Sequence, residues 1–182
     1  MGVLAALSMI TGRDEDAQLA IRLSGLAAGD VVVDIGCGPG AAVRQAARAG
    51  ARAVGVDPAP IMLRTAGLLT RQGVSYRKGA AEQLPVDDGT AQVVWSIATV
   101  HHWRDLDAGL REVRRVLAPG GCFVAIERHT NPGAHGHAGH GWTDEQAAAF
   151  AARCEEHGFL DARVERNRGK RRSTLSVTAR TP

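Results

Sequence analysis

Short runs of apolar and β-branched residues alternate along the chain with stretches that carry apolar residues at helical spacing. This alternation predicts an α/β fold with a mostly parallel sheet, because strands that are joined by helical crossovers run parallel. The last two strands flank a polar turn at 167–170, which predicts a C-terminal antiparallel hairpin. The predicted strands cover residues 31–35, 53–57, 74–78, 91–97, 122–127, 160–164 and 174–178.

The helices follow from the spacing of apolar positions. Apolar residues three and four positions apart predict a leading helix over 14–27 and a later helix over 106–117. A capping box at Thr143 and Gln146 predicts the start of the last helix, which ends at Gly158. Pro119-Gly120-Gly121 is predicted to separate the later helix from the fifth strand. Two further helices are predicted at 41–49 and 60–72.

Length and composition indicate one folded domain over 1–182, with an N-terminal helical segment over 1–28. Of the 182 residues, 45% are hydrophobic and 23% are charged, as in ordinary globular proteins. The three cysteines form no C-x-x-C pair, which favours a reducing compartment over a disulfide framework or a thiolate zinc site. No apolar run is long enough to cross a bilayer or typical of a signal peptide, so we expect no membrane span and a cytoplasmic protein.

The net charge of +3 is small, and its densest contribution is a basic cluster around the predicted hairpin turn. Such a cluster could contact RNA phosphates, although it is more often a solvated turn. No aromatic residues on which bases could stack are interleaved with it, which argues against a nucleic-acid partner. The cluster consists of Arg163, Arg166, Arg168, Lys170, Arg171 and Arg172.

A segment rich in histidine and glycine covers residues 129–142 and shows no periodicity. Imidazoles at His135, His137 and His140 could converge on Zn, Ni or Cu. The interleaved glycines favour the other interpretation, a flexible loop without a metal. We therefore predict a flexible loop and no metal site.

The strongest local signal is a glycine-rich turn directly after the first predicted strand. Gly36, Gly38 and Gly40 alternate there with other residues and lead into the helix at 41–49. Glycines permit positive φ and let a ligand approach the backbone, and the start of a helix offers free N–H groups. The turn therefore predicts a binding site for a polar ligand.

Two acidic residues bear on the identity of this ligand. Asp57 ends the second strand about twenty residues after Gly36, which also fits the loose fingerprint of a dinucleotide site. Asp34 is expected at the exposed end of the first strand, beside the ligand. Its carboxylate would attract a cationic ammonium group and repel a pyrophosphate, so it favours the first kind of ligand.

Several motifs then follow one another from residue 31 to residue 121. They are Asp34-Ile35-Gly36-Cys37-Gly38-Pro39-Gly40, Gly55-Val56-Asp57 with Met62, Gly79-Ala80-Ala81-Glu82-Gln83-Leu84-Pro85, Val93-Val94-Trp95-Ser96, His101-His102-Trp103 and Glu112-Val113-Arg114-Arg115-Val116-Leu117-Ala118-Pro119-Gly120-Gly121. With these motifs the chain resembles the class I S-adenosylmethionine-dependent methyltransferases, in particular the small-molecule group that includes the ubiquinone and menaquinone methylases.

The resemblance implies a Rossmann-like α/β fold, a seven-stranded and mostly parallel sheet with helices on both faces and the C-terminal antiparallel hairpin. It also implies S-adenosylmethionine as the cofactor and methyl transfer to a small-molecule acceptor. Asp57 would accept hydrogen bonds from both ribose hydroxyls, its alternative role being a helix N-cap. Met62 would cover the adenine, its alternative role being ordinary core. The cofactor-binding residues implied are Asp34, Gly36, Cys37, Gly38, Gly40, Asp57, Pro58, Met62, Ala81, Glu82 and Ser96.

Two positions depart from the pattern of this family. Ala80 stands where an acid usually meets the adenine amino group, and Ala59 stands where a serine often follows the ribose acid. A hydrogen bond to a charged group contributes about 1.5 to 3 kcal/mol. We therefore expect an affinity for the cofactor that is about ten-fold or more below that of typical relatives.

The resemblance places His101 and His102 where the methyl group should emerge, and either could remove a proton from the acceptor near neutral pH. The alternative is that His101-His102-Trp103 packs a strand-to-helix corner. Three other functions stay open: an S-adenosylmethionine sensor without catalysis, an RNA methyltransferase and an NAD-dependent oxidoreductase. A homodimer is possible, since the short chain has no large inserted cap to complete a pocket.

Overall fold

The computed structural model describes residues 3–70, 73–133, 140–170 and 172–182, and for residues 3–13 it describes the backbone alone. The helices are α1 (Val3–Ser24), α2 (Ala41–Arg48), α3 (Pro60–Leu69), α4 (Leu106–Val116) and α5 (Asp144–Glu156), with a 3-10 turn η1 (Val100–His102). The strands are β1 (Val31–Ile35), β2 (Arg52–Asp57), β3 (Val74–Lys78), β4 (Ala91–Ile97), β5 (Leu117–Arg128), β6 (Leu160–Arg168) and β7 (Ser173–Arg180).

The described residues form one seven-stranded sheet with the strand order β3-β2-β1-β4-β5-β7-β6. The first five strands in chain order pair in parallel, whereas β7 pairs antiparallel with both β5 and β6. The predicted Rossmann-like sheet with its C-terminal hairpin is therefore confirmed. The chain order reverses between β1 and β4, and this is where such sheets form a crevice at their carboxyl ends.

Both faces of the sheet are covered, which explains why β1 is apolar at nearly every position. Val33 packs into one core cluster together with residues of α4 and α5. Val32 packs into a second cluster, on the opposite face, together with residues of α1 and α2. Successive side chains of a strand point to opposite faces, so a strand that is buried on both faces needs apolar residues throughout.

Several predicted boundaries are corrected. The leading helix begins at Val3 rather than residue 14, and α3 ends at Leu69. Pro119-Gly120-Gly121 ends no element, because β5 begins at Leu117. The pairing of β4 with β5 shifts register within this stretch, and the irregularity absorbs the extra residues.

The hairpin strands are longer than predicted, and the chain reverses between Arg168 and Ser173. The capping box of α5 is confirmed, because the Thr143 hydroxyl accepts from the Gln146 N–H and the Gln146 side chain accepts from the Thr143 N–H. Among the described helices, none is both long and apolar enough to cross a membrane.

Candidate functional site

A cavity of about 1080 Å³ opens at the carboxyl ends of β1, β2 and β4, where the order of the strands reverses. Its walls come from the glycine turn after β1, the start of α3, the loop after β3 and the segment after β4. Ligand pockets usually enclose about 300–1,000 Å³. The cavity is thus large enough for a nucleoside-sized ligand with a second molecule beside it.

The turn after β1 requires glycine at three positions. Gly36, Gly38 and Gly40 have φ angles of 72°, 52° and 78°. A Cβ atom on Gly36 would lie 2.7 Å from the Cβ of Thr99, and one on Gly40 would lie 2.2 Å from the Tyr76 hydroxyl. Positive φ and these close approaches together exclude side chains.

Asp57, at the end of β2, ties this turn to the start of α3. One carboxylate oxygen accepts from the Gly38 N–H at 2.9 Å, and the other accepts from the Ala59 N–H at 2.8 Å. Only 7% of the residue is exposed, yet it lines the cavity. A carboxylate oxygen has two lone pairs, so each oxygen can accept one further hydrogen bond. Asp57 is not the N-cap of α3, because Ala59 occupies that position, and its two hydrogen bonds leave room for a ligand hydroxyl.

The predicted cofactor residues divide into two sets. One set lines the cavity and the other lies behind its wall. The first set consists of Gly36, Gly38, Asp57, Pro58, Met62, Ala81 and Glu82. The second set consists of Asp34, Cys37, Gly40 and Ser96, which are absent from the lining.

The members of the second set support the wall. Asp34 is 4% exposed, in register with Gly55 and Trp95, so it is buried rather than exposed as predicted, and its contact with the cofactor stays a prediction. Asp34 precedes the last residue of β1 and is buried there. Ser96 is buried and its hydroxyl hydrogen-bonds that of Thr99, which in turn donates to the Ile35 carbonyl.

Glu82 lines the cavity but also fastens one wall to another. Its Oε1 accepts from the backbone N–H groups of Arg104 at 2.6 Å and Asp105 at 3.2 Å. Burial acts to raise the pKa of Glu82, but hydrogen bonds from backbone N–H groups outweigh it and lower that pKa. The carboxylate is therefore ionised at neutral pH and joins the loop after β3 to the segment after η1.

The two predicted histidines lie on η1, in the segment after β4. His101 is held by Glu127 of β5, whose carboxylate Oε2 lies 3.0 Å from the histidine Nδ1. Glu127 is 1% exposed and its Oε1 also accepts from the Val100 N–H at 2.9 Å. The hydrogen bond with Glu127 raises the pKa of His101, although burial opposes it.

His102 behaves in the opposite way. It lines the cavity, whereas His101 is absent from the lining. Burial lowers the pKa of His102, and the neighbouring charge of His101 adds to this effect. The two rings lie 4.0 Å apart between centroids, and the ring of His140 lies 5.3 Å from His101 and 6.2 Å from His102.

Sequence reasoning missed Glu127, Trp103 and Arg104 as parts of this site. A signal for Glu127 was present, because it ends an apolar strand in the same way as Asp57 does. Parallel strands place their carboxyl ends at one edge of the sheet, so an acid at the end of β5 had to lie near the residues that follow β4. Trp103 was singled out only as part of the motif His101-His102-Trp103, and nothing marked Arg104.

The described part of the chain contains no cluster of three or more potential metal ligands. His135 and His137, two of the three candidate ligands, lie outside the described residues. His129 instead pairs with Asp144 at 3.4 Å. In the basic cluster, Arg166 also bonds Asp144 and Arg172 bonds Asp16. Arg171 lies outside the described residues as well.

Comparison with known proteins identifies the class. Residues 33–125, about half of the chain, match the methyltransferase domain family. A methyltransferase of Synechocystis, sll0829, is 33% identical over 128 residues, which are 69% of this chain and 59% of that protein. The ubiquinone/menaquinone biosynthesis C-methyltransferase of Rubrivivax gelatinosus is 32% identical over 110 residues, 60% of this chain and 44% of that protein. The chain spans about half the length of these curated relatives.

The fold of the whole described chain agrees with this match. An S-adenosylmethionine-dependent methyltransferase of Aquifex aeolicus superposes with a TM-score of 0.77 at 18% identity, covering 96% of this chain and 98% of the other. The chain therefore belongs to the methyltransferase domain family, and its fold is that of the class I S-adenosylmethionine-dependent methyltransferases. The predicted resemblance and cofactor are confirmed.

The residues of the cavity fit this cofactor. Gly36 and Gly38 leave the turn without side chains, so a ligand can lie against the backbone. Asp57 keeps one free acceptor position on each oxygen, as two vicinal ribose hydroxyls require. The exposed side chain of Met62 gives the cavity a flexible apolar wall against which an adenine can pack.

Proposed function

We propose that this chain transfers the methyl group of S-adenosylmethionine to a small-molecule acceptor. The proposal depends on one observation: the same cavity is lined by the glycine turn and Asp57, here called the glycine end, and by His102, here called the histidine end. The first end fits the cofactor and the second end offers a proton acceptor. The volume of the cavity leaves space for an acceptor between them.

In this proposal the chain holds the cofactor mainly through its backbone and one carboxylate. The backbone at Gly36 and Gly38 lies against the cofactor. Asp57 accepts hydrogen bonds from its ribose hydroxyls, and Met62 covers its adenine. The bound cofactor supplies an electrophilic methyl group on a positively charged sulfur. The protein contributes orientation, because correct placement of two reactants removes much of the barrier to their reaction.

The other end of the cavity would receive the acceptor. Trp103 contributes apolar surface there, and Glu82 closes the wall by binding the backbone at Arg104 and Asp105. If the acceptor carries a hydroxyl group, it must lose a proton during methylation. His102 is the residue we assign to this step, because it lines the cavity and its lowered pKa keeps it neutral.

The experiment is to incubate the chain with methyl-labelled S-adenosylmethionine and a panel of phenols, quinols and amines, and to measure label in the products. We expect label in at least one hydroxyl-bearing acceptor, and about ten-fold less with Asp57→Ala. Asp30→Ala is the matched control, because Asp30 also accepts a backbone N–H, at Ala27, but lies outside the cavity lining.

Two other outcomes would contradict the proposal. Binding of S-adenosylmethionine without transfer to any acceptor would indicate a sensor. Transfer to RNA, but to none of the small molecules, would indicate a nucleic-acid enzyme. Arg166 and Arg172 of the basic cluster are already engaged by Asp144 and Asp16, which supports the small-molecule alternative.

A further inference from the structure

A buried carboxylate supports the histidine end of the cavity without reaching the cavity itself. Glu127 is 1% exposed and absent from the cavity lining. Its two oxygens receive the Val100 N–H and the Nδ1 of His101. It thereby fixes both the backbone of η1 and one ring on it.

The surroundings of Glu127 require a positive partner. A buried carboxylate is costly unless it is paired and hydrogen-bonded. Among the described residues, His101 is its one ion-pair partner, and no Lys or Arg side chain pairs with it. His101 is the group that can supply the charge, and only when it carries protons on both ring nitrogens.

We propose that Glu127 is a positioning residue, which keeps His101 protonated and thereby leaves His102 as the neutral proton acceptor that faces the cavity. This inference rests on the proposed function. Two titratable groups whose surroundings drive them to opposite protonation states form an acid and base pair. His101, fixed by Glu127, is the charged member, and His102 is the neutral one.

Other charged or titratable groups near His102 act in the same direction or are already engaged. His140, from the segment before α5, adds a second imidazole whose charge would disfavour a proton on His102. Arg104 lines the same cavity. The carboxylate of Glu82 already accepts hydrogen bonds from backbone N–H groups. The direct attraction of Glu127 for a proton on His102 is weaker than the repulsion from His101.

Histidine NMR titration of the full chain, with S-adenosylhomocysteine bound, tests the assignment. His101→Asn and His102→Asn identify the two sets of signals. In the wild type we expect His101 to keep its proton to a higher pH than His102. In Glu127→Gln, which preserves shape, the proton affinity of His101 should fall about ten-fold or more.

Glu112→Gln is the matched control. Glu112 is another carboxylate that accepts a backbone N–H, from Leu84, and pairs with a cation, Arg115, but it lies outside the cavity lining. This variant should leave both histidines unchanged. Equal titration of His101 in the wild type and Glu127→Gln, or a His102 that is protonated at neutral pH, would overturn the proposal.

A second measurement covers the case in which Glu127→Gln does not fold. In His101→Asn the charge beside His102 is gone, so the proton affinity of His102 should rise. No rise would overturn the proposal. The binding of S-adenosylmethionine is measured separately by calorimetry, so a failure of the cofactor site is distinguished from a failure of the histidine assignment.

The proton acceptor itself is tested with 4-nitrocatechol, whose phenolate absorbs at longer wavelength than the phenol. At about pH 6, where neutral His102 can still gain a proton, we expect the wild-type protein to increase the phenolate fraction. His102→Asn should not do so. An unchanged spectrum with the wild type, or the same increase with His102→Asn, would contradict the role of His102.

Discussion

The two ends of the cavity are built in different ways. At the glycine end, the turn after β1 is shaped by positive φ angles and is fastened by Asp57, which bonds the backbone of Gly38 and Ala59. At the histidine end, the site is a group of side chains from separate elements. Glu127 of β5 holds His101 of η1, and the rings of His102 and His140, the latter from the segment before α5, lie next to His101.

This difference determines which parts of the binding site can be predicted from the sequence. Backbone shape depends on residues that are close in sequence, so the glycine end leaves a compact motif. Side-chain clusters depend on the pairing of distant strands, so the histidine end leaves scattered residues whose meeting needs the fold. The glycine end should therefore be sensitive to steric changes, and the histidine end to changes of charge.

The largest expected effect is a steric one at the glycine end. In Gly36→Ala the new Cβ would meet Thr99, whose hydroxyl is anchored to the Ile35 carbonyl and cannot move away freely. Left-handed strain and overpacking together should lower the free energy of unfolding by about 2–5 kcal/mol. Urea denaturation measures this value.

Gly89→Ala is the matched control for the steric effect. Gly89 has a φ of 63°, but a Cβ there would have no atom within 4 Å. This variant should lose only about 1–2 kcal/mol, from the left-handed conformation. Equal losses in the two variants would show that close contact contributes nothing at Gly36, and the steric account of the glycine end would be wrong.

The next effect concerns the carboxylate of the glycine end. Asp57→Ala removes hydrogen bonds to Gly38 and Ala59 and those proposed to the ribose, so the affinity for S-adenosylmethionine should fall about ten- to a hundred-fold. Calorimetric titration of the folded variant measures it. Asp30→Ala should bind as the wild type does. Unchanged affinity in Asp57→Ala would remove Asp57 from the site.

A smaller effect, at the histidine end, depends on pH. The pKa of His101 is raised in the folded protein, so its pairing with Glu127 stabilises the fold fully below the unfolded value of about 6.5. That stability is lost as the pH rises through the folded pKa. The stability advantage of the wild type over Glu127→Gln, measured by urea denaturation, should therefore shrink between mildly acidic and alkaline pH.

The size of this change should be modest, because water screens a ring that is partly exposed. The advantage of the wild type over Glu112→Gln should be constant over the same pH range, since Arg115 holds its charge throughout. An advantage over Glu127→Gln that is equally constant would mean that His101 does not carry the charge.

The smallest effect is expected on α3. Met62 is 41% exposed and lines the cavity, so Met62→Ala should weaken binding of S-adenosylmethionine about two- to five-fold through lost apolar contact. Leu68→Ala, on the same helix but 88% exposed and outside the lining, should have no effect. Equal affinities of the two variants for S-adenosylmethionine would mean that Met62 has only an ordinary packing role.

Most of the fold could be predicted because its signals are periodic. Apolar runs located the seven strands of the described residues, and the alternation with helices predicted the parallel pairing of the first five. The boundaries were less accurate where tertiary structure overrides local signals. Pro119 and the two glycines after it are typical helix breakers, so they were predicted to lie between two elements. In the structure they belong to β5, because the pairing of β4 with β5 is irregular at this point.

The site could be predicted only in part. Asp57 and the glycines of the turn could be predicted because the conformation and hydrogen bonds of the backbone near them require these residue types. The exposure of Asp34 was not predicted correctly, since whether an acid near the end of a strand reaches solvent depends on packing from both faces. The meeting of Glu127 with His101 depends on the register of β4 against β5, which no local pattern reveals.

The central claim is that the glycine end binds S-adenosylmethionine. The most direct test is isothermal titration of the full chain with S-adenosylmethionine, S-adenosylhomocysteine, NAD and NADP in parallel. We expect heat of binding with the first two alone, at an affinity about ten-fold or more below that of typical relatives because of Ala59 and Ala80. Binding of NAD or NADP, or no binding of any of the four, would contradict it.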